Sequence, residues 1–135
     1  MKIYVLGAVG GASYFNYDIP IEYLKYNLDP NIRKNIFEIL KGDGLVNDIS
    51  DGLDKSLYNL LYYEKNLDIL IFEKKLWNLL PNKFKAPEIP LNLNHIKYGG
   101  DDYSLIIATF HPLNNIPKVT EIGFVDKGSG KVIYL

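Results

Sequence analysis

Two short acidic segments hold the side chains best suited to chemistry: Asp48-Ile49-Ser50-Asp51-Gly52-Leu53 and Gly99-Gly100-Asp101-Asp102-Tyr103. Each sets a pair of carboxylates beside glycine where an apolar run begins or ends. Core packing has no use for a carboxylate at such a point. Asp48 and Asp51 are spaced to hold Mg2+, a hard cation that takes carboxylate oxygens and bridges phosphates. The Ser50 hydroxyl lies between them and can bond to a nucleotide oxygen, and Gly52 leaves room for close approach. A plainer alternative is a helix cap. Ser50 or Asp51 can satisfy the free N–H groups of a helix start, with Asp54 adding charge to its first turn. In the second segment the adjacent carboxylates of Asp101 and Asp102 point different ways, so one can face a ligand while the other orients the loop. Its plain alternative is a polar turn before a strand.

The elements that must position these groups are legible from periodicity. Lys2 to Leu6 reads as a strand, and Gly7, Gly10 and Gly11 make a permissive turn after it. Ser13 to Leu28 is aromatic and irregular up to the breaker Asp29-Pro30. Asn31 can cap a helix whose apolar face is Ile32, Ile36, Ile39 and Leu40, ended by Gly42 and Gly44. Leu45 to Ile49 is a strand running into the first acidic segment. Leu53, Leu57, Leu60 and Leu61 stripe the next helix. Leu67 to Phe72 reads as a strand buried on both faces, and Lys74 to Leu80 as a short helix closed by Pro81. A loop with Pro87 and Pro90 leads to the second acidic segment. Tyr103 to Phe110 is the strongest strand, followed by Lys118 to Val125. Asp126 to Gly130 is a turn, and Lys131 to Leu135 returns as the second arm of a hairpin. Interleaved helices and strands predict one layered domain, α/β or α+β, over residues 1–135.

Bulk properties exclude several classes. The chain has 135 residues, 47% hydrophobic and 23% charged, with a net charge of −1. That balance gives no electrostatic footing for nucleic acid or an anionic membrane. There is no cysteine, which rules out disulfides, zinc–thiolate sites and thiol nucleophiles. No apolar stretch approaches a membrane span, and the N-terminal apolar run is too short for a signal peptide, so the expected location is cytoplasmic. Arg33 is the only arginine. A phosphate site therefore has to rely on lysine, backbone N–H groups or a metal. His95 and His111 are isolated and read as structural or surface residues. Trp77, among Leu76, Leu79 and Leu80, reads as core. Tyr58, Tyr62 and Tyr63 flank the leucine stripe, and Lys74-Lys75 and Lys83 to Lys85 read as solvated. The aromatic segment Tyr14, Phe15, Tyr17, Tyr23, Tyr26 is the candidate interface.

Taken together, these motifs resemble the C-terminal domain of thiamine-monophosphate kinase, in the aminoimidazole-ribonucleotide synthetase superfamily. Four pieces carry the resemblance, in order and across nearly the whole chain. Ile3-Tyr4-Val5-Leu6-Gly7-Ala8-Val9-Gly10-Gly11 resembles the opening strand and glycine turn. Asp48-Ile49-Ser50-Asp51-Gly52-Leu53 matches the metal and nucleotide motif. Gly99-Gly100-Asp101-Asp102-Tyr103 matches a Gly-Gly-Glu-Asp-Tyr-Glu-Leu pattern, with Asp101 and Ser104 at the two Glu positions. Ile122-Gly123-Phe124-Val125 matches a late Ile-Gly-x-Val strand.

The resemblance implies an α+β fold, a mixed sheet with helices packed on it. It implies that Asp48 and Asp51 bind Mg2+, that Ser50 contacts ATP, and that Asp101 contacts thiamine phosphate from one methylene further back than Glu. The family also sets an aromatic residue near its C-terminus against substrate, but no motif aligns Tyr134 with it. The family's N-terminal ATP-binding domain, with its further aspartates, lies outside the resemblance. Two expectations follow. In one, the chain is half of a kinase, inactive alone and completed by a separate ATP-binding domain chain. In the other, it is a non-catalytic binding or oligomerisation module, a homo-oligomer in one form.

Overall fold

Strand β1 (Lys2–Leu6) is the spine of the structure, a computed structural model describing residues 1–135. Its side chains alternate between two apolar layers, as the two-residue strand period requires. Ile3 and Val5 enter one layer, and Tyr4 and Leu6 the other. A six-stranded sheet is built around it in the order β2-β4-β1-β5-β3-β6. Its other strands are β2 (Leu45–Ile49), β3 (Leu67–Ile71), β4 (Ser104–Thr109), β5 (Val119–Lys127) and β6 (Val132–Tyr134). Neighbours are antiparallel except β3 and β6, which are parallel, so the sheet is mixed. Every residue of β4 is buried, in keeping with its unbroken apolar run.

Helices cover both faces. They are α1 (Gly11–Tyr14), α2 (Ile21–Asn27), α3 (Pro30–Leu40), α4 (Leu53–Leu60), α5 (Glu73–Leu76) and α6 (Leu93–Tyr98). The larger core joins Val5, Ile106 and Ile122 of the sheet to Leu53 and Leu57 of α4, Leu76 of α5 and Ile96 of α6. The opposite layer sets Ile36 and Leu40 of α3 against Tyr4, Leu105 and Ile107. A third cluster, with Ala8, Tyr14, Tyr23 and Leu80, lies under the glycine turn. No helix is long and apolar enough to cross a membrane.

The structure corrects several local expectations. The irregular aromatic stretch forms α1 and α2, and buries Tyr14 and Tyr23 instead of offering them to a partner; Tyr17 is exposed. Asp29, not Asn31, caps α3, accepting from the N–H groups of Asn31 and Ile32, with Pro30 at the first helical position. Trp77 is exposed, because α5 ends at Leu76 and a 3-10 turn over Trp77–Leu79 rotates the indole away from its buried leucine neighbours. Strand β3 is only alternately buried. The loop before the second acidic segment contains α6, capped by Asn92, whose N–H donates to Nδ1 of His95 at 3.2 Å. Strand β6 does not form a hairpin with β5. Both flanks of β5 are already taken by β1 and β3, so the returning chain adds to β3.

Candidate functional site

The two acidic segments, far apart in sequence, are joined backbone to backbone. The Asp101 N–H donates to the Ser50 carbonyl at 2.7 Å, and the Tyr103 N–H to the Ile49 carbonyl at 3.1 Å. Antiparallel pairing of β2 with β4 sets this up, since Ile49 lies opposite Ser104. The approach is close enough to require glycine: a Cβ on Gly100 would stand 2.8 Å from the Ser50 carbonyl oxygen. Asp48, Asp51 and Asp101 are exposed, and Ser50 is half-buried. All three carboxylates act on one phenol. Tyr103 is held above its ordinary pKa first by Asp101, with burial next and Asp48 and Asp51 adding smaller pushes.

The capping alternative for the first segment does not describe what is seen. Gly52 occupies the N-cap of α4, with φ at 97° and no side-chain cap bond. Asp51 instead pairs loosely with Lys55 at 3.7 Å. The α4 start is tied back by the Ser56 hydroxyl, which donates to the Asp48 carbonyl at 2.9 Å. Asp48 and Asp51 are thus free of the structural duty that most often explains such residues.

In the second segment the carboxylates divide the work. Asp102 is fully buried and Asp101 exposed. Asp102 accepts from the Gly10 N–H at 2.9 Å, the Ala12 N–H at 3.1 Å and the Tyr23 hydroxyl at 2.6 Å. It therefore fastens the glycine turn after β1 to the acidic site. Asn27 doubles this fastening. Its amide donates to the Ala8 and Asp102 carbonyls at 2.9 and 2.7 Å, while its Oδ1 accepts from the Ala8 N–H at 2.6 Å. Tyr23, Asn27 and Arg33 were not foreseen as site supports. The only sequence signal was polar groups on short helices that have to bury one face.

Burial pushes the Asp102 carboxyl up to about 6, against the downward pull of its three donors. Tyr23 is pushed up as well, by burial first and then by the Asp102 charge. Below about pH 6 the carboxyl gains a proton. The Tyr23 hydroxyl can then turn to the Ala8 carbonyl, 3.2 Å away, and accept from the acid. The folded value lies above the unfolded one, so folding takes up a proton between about pH 4 and pH 6. The Asp102 contribution is most favourable below that window and declines as pH rises through it. Urea unfolding from pH 4 to 7 should show wild-type stability falling relative to Asp102→Asn by on the order of 2 to 3 kcal/mol, then levelling. A constant difference across the range would contradict this.

A metal ion is implied by the resemblance, and the donors suit it in part. Mg2+ accepts one or two carboxylates when phosphates and waters complete its octahedron. Asp48 and Asp51 are hard oxygen donors on an open surface, but no three acidic or histidine side chains converge to hold an ion unaided. A cleft of about 550 Å3 lies elsewhere, lined by Phe15, Glu22, Lys83, Phe84 and Lys85. Its walls include none of these aspartates, all three of which are exposed.

No protein-family model matches the sequence, and no curated protein sequence matches it significantly. Solved structures do match. Thiamine-monophosphate kinase from Aquifex aeolicus superposes with a TM-score of 0.71 at 22% identity, covering 98% of this chain and 49% of that one. The fold is that of one half of thiamine-monophosphate kinase. The enzyme called AaThiL, complexed with AMPPCP and TMP, gives a TM-score of 0.69 at 22% identity, over 98% of this chain and 47% of its own. The kinase from Stenotrophomonas maltophilia gives 0.66 at 20% identity, over 98% and 49%. The chain spans about half the length of these kinases.

Proposed function

We propose that this chain contributes half of a composite site of the thiamine-monophosphate kinase type. In this reading Asp48 and Asp51 hold Mg2+ together with nucleotide phosphates, Ser50 contacts the nucleotide, and Asp101 contacts thiamine phosphate. A second polypeptide or domain supplies the remaining ligands. Bound there, Mg2+ would bridge phosphate oxygens and offset their charge.

The observation that carries this reading is the direct backbone junction of Ser50 with Asp101. That bond joins the two acidic segments, within a fold like that of one half of the kinase, and so supports a shared site. Two carboxylates would leave most of an Mg2+ octahedron to other ligands, an incompleteness that suits a composite site.

The same incompleteness supports a second reading, a binding or oligomerisation module without catalysis. Tyr58, Tyr62 and Tyr63 are exposed on and after α4, and aromatic residues of this kind suit a partner surface. Light scattering separates the two, because the module reading in its oligomeric form requires self-association.

The site itself is tested by amide NMR with AMPPCP and MgCl2. Mg2+-dependent shifts should appear at Ile49 to Gly52, and Asp51→Asn should weaken the apparent affinity at least tenfold, about 1.4 kcal/mol. Asp51 is exposed and lacks a cap bond, so the fold should be undisturbed. Equal shifts in wild type and Asp51→Asn, or none in wild type, would overturn the reading.

A further inference from the structure

The second acidic motif has a backbone that needs holding. Asp101 and Tyr103 both lie in the left-handed region, with φ of 64° and 56°. That region disfavours residues bearing a Cβ. Two clamps come from the first motif, the Ser50 and Ile49 carbonyls. A third comes from α3. Arg33 donates through Nη2 to the Tyr103 carbonyl and to the Asn27 carbonyl. Its Nε is buried with no hydrogen-bond partner. Docking α3 does not call for this residue, since Ile36 and Leu40 already supply its buried face. Burial lowers the pKa of this guanidinium, the chain's only one, and the Asp48 charge opposes that. Both bonds leave the same nitrogen, Nη2, at the end of a rigid planar guanidinium that the flexible stem of a lysine does not reproduce.

We propose that Arg33 is a positioning residue of the candidate site. By clamping the Tyr103 carbonyl it keeps Asp101 and Tyr103 left-handed, which fixes the exposed Asp101 beside the first acidic segment. The inference rests on the composite-site reading only for the identity of what Asp101 meets.

Amide hydrogen exchange tests the clamp without any ligand. Arg33→Met should speed exchange at the Asp101 and Tyr103 amides at least tenfold, while Val5 and Ile107, in the central strands β1 and β4, keep their rates. Arg33→Lys, with the charge on a flexible stem, should give a smaller rise at the same two amides. Unchanged rates, or a uniform rise that includes Val5 and Ile107, would overturn the proposal. If Arg33→Met fails to fold, Arg33→Lys decides alone: a selective rise supports the clamp, and none or a uniform one removes it. A separate titration with thiamine monophosphate and MgCl2 reads the Asp101 amide shift. A silent wild type there would remove the composite-site reading, while the exchange rates would still judge Arg33.

Discussion

Asp102→Ala is expected to lower stability by about 3 kcal/mol and the melting temperature by roughly 10 °C. Alanine leaves the Gly10 and Ala12 N–H groups buried with no acceptor. Each such loss typically costs about 1 to 3 kcal/mol. The Tyr23 hydroxyl is partly spared, because the Ala8 carbonyl is within reach. Relief of the buried charge also offsets part of the loss, which keeps the figure below the upper range for a broken buried network. Thermal and urea unfolding at pH 7 measure the effect. A loss under about 1 kcal/mol would mean that water satisfies the orphaned donors and that Asp102 does not fasten the glycine turn.

Gly123→Ala should be nearly as severe, at about 3 kcal/mol, for a steric reason. A Cβ there would stand 2.0 Å from the Leu70 carbonyl oxygen, which is backbone in the paired strand and cannot rotate away. Next to it, Ile122 is an extra residue in β5: Ile3 faces Gly123 while Tyr4 faces Glu121. A bulge of this kind bends the strand and increases its twist. The substitution should therefore loosen β3 and β6 from β5 before it affects β1 and β4. Amide exchange checks this directly, with a faster rate at Phe72, whose N–H donates to the Ile122 carbonyl of β5, than at Val5. Unaltered β3 protection together with wild-type melting would refute the steric argument.

Much of the sheet was legible because its residues answer to one strong local signal. Strands β1 and β4 are apolar at every central position, and each is buried on both faces. The α3 stripe was equally clear, since Ile36 and Leu40 follow the helical period. What failed depended on partners that a linear reading does not show. The turn expected over Asp126 to Gly130 is confined to residues 128–130, because β5 runs on through Lys127 against β3, and Asp68 decides where the turn leads. Its carboxylate accepts from the Ser129 and Lys131 N–H groups at 2.8 and 2.9 Å, drawing the chain onto β3. Helix α6 was missed because six residues after a proline-rich loop give too short a pattern, although Asn92 carried a capping signal. At the site, the grouping of Asp48, Ser50, Asp51 and Asp101 was visible as composition and order. The division of labour between Asp101 and Asp102 was expected from an extended segment, but Asp101 lies outside β4 with a left-handed φ of 64°. Arg33 and Asn27 were not found, because each acts on backbone carbonyls that any sequence would provide.

The position of β1 also bears on how the chain matures during synthesis. Leu6 meets Leu105 on one side and Val119 on the other. The spine of the sheet therefore waits, unpaired, until most of the polypeptide has left the ribosome. Distant partners of this kind slow the search for native contacts. A nascent segment with both flanks open is also the stretch most in need of chaperone shelter.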